Sequence, residues 1–156
     1  MVGTQATVLL VNSFDDGRDM YAEYLRYHGF AVRGINEPEA ALSLKPNETP
    51  DIVVTDVIFP ESDMDGAALI RALRRRPDYS EVPIIVVSGL VRSADRERTR
   101  AAGADRFLIK PCLPDQLLSE VEAALSCRRE RRRPPWNWPG ATAEVKIAAE
   151  RRRRPD

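Results

Sequence analysis

Five polar residues stand where they could do chemistry together: Asp56, Ser88, Lys110 and the pair Asn12-Ser13. Each follows a short apolar run: Val8-Leu9-Leu10-Val11 before Asn12, Ile52-Val53-Val54 shortly before Asp56, Ile84-Ile85-Val86-Val87 before Ser88, and Phe107-Leu108-Ile109 before Lys110. A carboxylate, a hydroxyl and an ammonium brought to one place can carry a phosphoryl group. The carboxylate is the nucleophile, as in aspartyl-phosphate intermediates. The hydroxyl and the lysine stabilise the phosphoryl oxygens, and a divalent cation ordinarily neutralises the remaining charge. Magnesium takes oxygen ligands and commonly one or two carboxylates, yet after the first apolar run the sequence offers only the amide of Asn12 and the hydroxyl of Ser13. Taken alone, Asp56 reads equally well as the cap of the turn that follows it.

The elements that must position these groups decide between the two readings. Thr7 to Val11 reads as a buried strand. Met20, Tyr21, Tyr24, Leu25 and Tyr27 then recur at helical spacing between Asp16 and His28, and Gly29 stops that helix. Phe30 to Ile35 is a second strand, and Pro38 opens a short helix through Leu44. The β-branched run Ile52-Val53-Val54 is a strand buried on both faces; it ends on Asp56, and Pro60 prevents its continuation. Asp65-Gly66 leads into a helix from Ala67 to Leu73 that finishes in Arg74-Arg75-Arg76. Cations in a last turn complement the helix dipole, so this run reads as structural and solvated rather than as a nucleic-acid patch. A strand from Val82 to Val87, a polar helix from Ser93 to Ala102 closed by Gly103, a strand from Arg106 to Ile109 and a last helix from Pro114 to Ser126 complete the pattern. Five strand-helix alternations with short connections specify a parallel sheet with helices on both faces. All the strand carboxyl ends then open onto one edge, where ligands bind in open α/β sheets. Asn12-Ser13, Asp56, Ser88 and Lys110 are expected to converge there.

The chain has 156 residues, enough for one domain with a proper core and too few for two. Its formal charge is zero but divided: residues 1–127 carry 14 Lys+Arg against 20 Asp+Glu, a balance of −6, and residues 128–156 carry 10 against 4, a balance of +6. The expected organisation is an acidic body, 1–127, with a basic tail, 128–156. No apolar run approaches the roughly 18 residues of a membrane span. Val8 to Val11 is too brief for a signal-peptide core and has no basic region before it. Cys112 and Cys127 lack Cys-x-x-Cys spacing and neighbouring histidines, which speaks against metal or redox chemistry and for reduced thiols in a cytoplasmic protein.

With these residues in view, residues 5–127 resemble the receiver domain of the bacterial two-component response regulators, the family that includes the chemotaxis regulator. The stretches that carry the resemblance are Val8-Leu9-Leu10-Val11, Asp56-Val57-Ile58-Phe59-Pro60 with Met64-Asp65-Gly66, Pro83 to Gly89, and Gly103 to Pro111. The resemblance implies a flavodoxin-like (βα)5 fold, five parallel strands in the order 2-1-3-4-5 flanked by five helices. It implies that Asp56 is the phospho-acceptor, that Ser88 contacts the phosphoryl group and takes part in switching, that Lys110 is the site lysine and that Phe107 is the switch aromatic. The backbone carbonyl of Ile58 becomes a metal ligand, and Lys110-Pro111 a cis peptide. Two departures stand out. The family's paired acids fall on Asn12 and Ser13, so magnesium binding is expected to be weak; Asp15 and Asp16 align with the first helix and do not replace the pair. Four residues separate Pro60 from Asp65-Gly66 where the family usually has two, and that loop brings Glu61 and Asp63, either extra site carboxylates or solvated loop residues.

The function expected is a single-domain response regulator in a phosphorelay, a regulatory phospho-acceptor rather than an enzyme. It would take its phosphoryl group from a sensor histidine kinase or phosphotransfer protein and signal to a downstream protein through the last strand-helix face. The alternative is a phosphorylation-independent pseudo-receiver, an atypical binding module favoured by Asn12 and Ser13. Self-association as a homodimer is a further kind of partnership. His28 reads as a surface residue. Arg128-Arg129-Glu130-Arg131-Arg132-Arg133, followed by Trp136 and Trp138 among prolines, reads as a solubilising extension or as a docking segment for acidic proteins or nucleic acid, and is too short for a DNA-binding domain.

Overall fold

The computed structural model describes residues 5–89 and 92–131, with side chains to residue 128. Elements alternate throughout: β1 Thr7–Val11, α1 Asp15–Tyr27, β2 Ala31–Ile35, α2 Pro38–Leu42, β3 Ile52–Thr55, α3 Gly66–Arg74, β4 Ile84–Ser88, α4 Ser93–Ala102, β5 Arg106–Ile109 and α5 Pro114–Arg131. Short 3-10 turns at Pro46–Glu48 and Pro77–Tyr79 lead into β3 and β4. The strands form one parallel sheet in the order β2-β1-β3-β4-β5, the order expected from the sequence.

Alternation along the central strands sends side chains to opposite faces. Leu9, Val11, Val53, Ile84 and Val86 pack on one face against Ala67, Leu69, Ile70 and Leu73 of α3. Val8, Leu10, Ile52, Val54, Ile85 and Val87 pack on the other against Tyr21 and Leu25 of α1 and Leu117 and Val121 of α5. On α1 only part of the expected apolar stripe is buried: Tyr21 and Leu25 face inward, joined by Ala22, whereas Met20 and Tyr27 are exposed. His28 caps the end of α1 at the surface, beside the rings of Tyr24 and Tyr27.

The arginines that close α3 differ from expectation. Arg74 is not solvated: its guanidinium donates to the carbonyls of Tyr79 and Val82 at 2.7 Å each and of Gly103 at 2.8 Å, and pairs with Asp105 at 3.0 Å. Arg76 pairs with Asp78 at 2.8 Å and lies 4.9 Å from the Tyr79 ring centre. A planar fork of five donors suits such a clamp, because one side chain satisfies three carbonyls from two separate connections, the one before β4 and the one before β5. Arg74→Ala strands those carbonyls and is expected to cost about 2–4 kcal/mol in denaturant unfolding, whereas exposed Arg75→Ala should change stability by less than ~0.5 kcal/mol.

Helix α5 extends five residues beyond Ser126, to Arg131. Arg128 reaches back to the Asp51 carbonyl at 2.8 Å, fixing the helix end at the edge where β3 begins. The sequence from 132 to 156, with Trp136 and Trp138, lies outside the described residues. Among the described residues no helix is long and apolar enough to cross a membrane.

Candidate functional site

Strand register brings the polar residues together. Val11 pairs with Thr55, Thr55 with Val86, and Ser88 with Ile109, so β1, β3, β4 and β5 finish at one edge. The Asp56 N–H donates to the Val11 carbonyl at 3.0 Å, and the Lys110 N–H to the Ser88 carbonyl at 2.9 Å. Those bonds extend the ladders one residue past the strands, to the site residues themselves.

Asp56 is 6% exposed. One carboxylate oxygen accepts the Val57 N–H at 2.8 Å, and the other meets the Lys110 ammonium at 2.7 Å. The ammonium also lies 5.6 Å from the ring centre of Phe14, within cation-π range. Its charge is thus held between a carboxylate and an aromatic face. Ser88 is buried at the end of β4. The Lys110-Pro111 peptide is cis, as expected.

The end of β1 is neutral. Asn12 is buried, and its Oδ1 accepts the Phe14 N–H at 2.8 Å in a local turn that leads into α1. The Ser13 hydroxyl oxygen is shut off from solvent and has no hydrogen-bond partner. Asp15 and Asp16 begin α1 and point to solvent, Asp15 pairing with Arg18 at 2.6 Å. Glu61 and Asp63 are exposed. No cluster of three His, Cys, Asp or Glu that could hold a metal occurs among the described residues.

The loop after Asp56 turns back on itself to start α3. Phe59 is buried, the Ser62 hydroxyl donates to the Glu39 carboxylate, and Asp65 caps α3 by accepting the Ala68 N–H at 2.9 Å. Partial burial, the largest single influence on Asp65, would raise its carboxyl; the Ala68 N–H and the Arg98 guanidinium at 2.6 Å together hold it below the usual range. Ile58 is about half exposed. Phe107 is half-buried, with the Arg96 guanidinium 5.4 Å from its ring centre, in a groove of about 430 Å³ between α4 and β5.

A cation site at this edge can be judged by its donors. Asp56, the unpartnered Ser13 hydroxyl, Asn12 Oδ1 and the Ile58 carbonyl are all hard oxygens, the kind magnesium takes. They fit that ion in type, with a single carboxylate whose charge Lys110 already balances.

Residues 8–122 match the family described as response regulator receiver domain. An uncharacterised 14.6 kDa protein of Leptolyngbya boryana is 33% identical over 118 residues, 76% of this chain and 88% of that protein. The chain spans 46% and 48% of two curated transcriptional regulators that it also matches. The chemotaxis response regulator CheY4 of Vibrio cholerae superposes with a TM-score of 0.72 at 26% identity, over 78% of this chain and 99% of that one. The receiver domain of a sensor histidine kinase from Pseudomonas aeruginosa PAO1, solved with a magnesium ion in its active site cleft, shares the fold with a TM-score of 0.71 at 23% identity, over 79% of this chain and 99% of that one.

Proposed function

The chain belongs to the response regulator receiver domain family, and on that premise we propose that it is a phosphorylation-controlled switch with Asp56 as its phospho-acceptor. Receivers of two-component signalling are regulatory phospho-acceptors rather than enzymes that turn over a substrate. The observation that carries the reading is the buried Asp56 carboxylate held 2.7 Å from the Lys110 ammonium at the carboxyl edge of the sheet.

The phosphoryl donor is a histidine kinase or phosphotransfer protein. An Asp56 oxygen attacks phosphorus, the aspartyl O–P bond forms, and the P–N bond to the donor imidazole breaks. Lys110 leaves one carboxylate oxygen to neutralise the incoming phosphoryl oxygens, and Ser88, at the end of the neighbouring strand, offers its hydroxyl to them. Asp56 is buried and already paired with Lys110, so those two groups reorganise little in the transfer. Asp56, Ser13, Asn12 and the Ile58 carbonyl would hold a magnesium ion weakly, and bound there it would supply charge neutralisation. The downstream partner docks on the last strand-helix face, β5 and α5, where Phe107 changes its burial.

A second reading, a pseudo-receiver that binds its partner without phosphorylation, is favoured by the neutral strand-one end, where Asn12 Oδ1 is already engaged by the Phe14 N–H. Intact-mass measurement with a small-molecule phosphodonor separates the two. The expected result is a slowly formed adduct of one phosphate that needs high magnesium and is absent from Asp56→Asn. No adduct at any magnesium concentration would sink the switch and leave the binding module.

A further inference from the structure

Lys110 lies outside the last strand, on the segment from Lys110 to Leu113 that crosses from β5 to α5. Its backbone N–H is fixed by Ser88, but its ammonium depends on where the next residues run. Those residues are tied to a distant part of the fold. The hydroxyl of Tyr21, in the middle of α1, donates to the Cys112 carbonyl at 2.6 Å across 91 residues of sequence. The Gln116 side chain, from the start of α5, also holds this segment's backbone, accepting the Leu113 N–H at 3.0 Å, but Tyr21 reaches it from a helix far away in the chain. Tyr21 is 5% exposed and shares a core cluster with Leu25, Val54, Val87, Cys112 and Leu117. A tyrosine on α1 would serve packing equally well as phenylalanine; the hydroxyl is what the core does not need.

We infer that Tyr21 is a positioning residue of the phosphoryl-transfer site: through the Cys112 carbonyl it fixes the strand-end segment that places the Lys110 ammonium on Asp56. The inference rests on the reading of Asp56 as phospho-acceptor. The tie crosses from α1 to β5-α5, so the helix that follows the neutral Asn12-Ser13 turn also sets the position of the site's cation. Burial first, then the charges of Cys112 and Asp56, push the Tyr21 phenol above its ordinary value, so the hydroxyl keeps its proton and remains a donor through the physiological range.

The test uses Tyr21→Phe in the full chain, which keeps the ring and removes the donor. The chain has three lysines, Lys45, Lys110 and Lys146, so nitrogen-15 lysine labelling gives a spectrum with one ammonium signal from the site. An ammonium paired to a buried carboxylate exchanges its protons slowly and is visible. In Tyr21→Phe the Lys110 signal should shift and broaden while Lys45 and Lys146 stay put, and phosphorylation of Asp56 by a small phosphodonor should slow roughly 10-fold, short of the ~100-fold that a 1 Å misplacement can bring. An unchanged Lys110 signal in folded Tyr21→Phe overturns the inference. If that variant fails to fold, 3-fluorotyrosine placed at position 21 preserves size and strengthens the donor; the Lys110 signal must then move the opposite way, and a fixed signal overturns the inference. The signal is read on the unphosphorylated protein. A Lys110 response without any phosphate uptake in the wild type therefore upholds the tie while the acceptor reading falls.

Discussion

Asn12→Asp together with Ser13→Asp should turn a protein whose stability hardly responds to magnesium into one governed by it. Both positions sit beside a carboxylate that is 6% exposed and balanced by a single ammonium. Two added carboxylates there repel Asp56 and one another when no cation is present, so the double variant should unfold at lower temperature than the wild type in chelator. With a hard divalent cation the same groups become ligands. A cation bound only by the folded state stabilises it by about 2.7 kcal/mol when its concentration is 100 times the dissociation constant, on the order of 10 °C in midpoint for a domain of this size. The wild type, with one carboxylate, should move by no more than ~1 kcal/mol over the same range. Thermal unfolding across a magnesium titration decides it. Equal shifts in the two proteins would mean that missing charge is not what limits the site, and the weak-magnesium reading would go.

Gly66→Ala is the substitution expected to damage the fold most. A Cβ built at Gly66 falls 2.2 Å from the Asp56 carbonyl oxygen and 2.8 Å from the Val57 Cα. Both obstacles are backbone, so no side chain can swing away. The Gly66 N–H also donates to the Val57 carbonyl at 2.7 Å, drawing the start of α3 onto the chain immediately after Asp56. Overpacking costs about 1–3 kcal/mol where side chains can yield; here the first turn of α3 must withdraw as a unit, and a loss at or above ~3 kcal/mol is expected. Withdrawal would also strip Val57 of its partner, and the Val57 N–H is what holds one oxygen of Asp56. Denaturant unfolding measures the first effect and phosphate uptake the second. A loss under ~1 kcal/mol with normal uptake would show that α3 can start elsewhere without disturbing Asp56.

Period and punctuation made the alternating elements legible in the sequence. Val8–Val11, Ile52–Val54 and Ile84–Val87 are apolar throughout because each run lies between two layers of helix. A parallel sheet with short connections then leaves few topologies open, which is why Asp56, Ser88 and Lys110 could be placed at one edge from their positions after apolar runs. The neutral character of Asn12 and Ser13 was equally readable, since it is a matter of residue type. Helix ends were less so: α2 stops at Leu42 and α5 continues to Arg131, because tertiary contacts such as Arg128 on Asp51 override local signals.

What the sequence could not decide is where polar groups with several candidate partners go. Arg74 and Arg75 are the same residue type in the same run, yet one clamps the connections before β4 and β5 and the other faces water. The helical turn between them rotates neighbouring side chains by about 100°, so the packing of α3 against the sheet selects which one meets the carbonyls. Tyr21 reads as core from its spacing, and its hydroxyl finds Cys112 only because α1 and α5 lie on the same face. Residue type and periodicity thus determined the fold and the chemical kind of the site. Tertiary structure decided the hydrogen bonds that fix its geometry, because a donor's partner depends on distances between segments that are far apart in the chain.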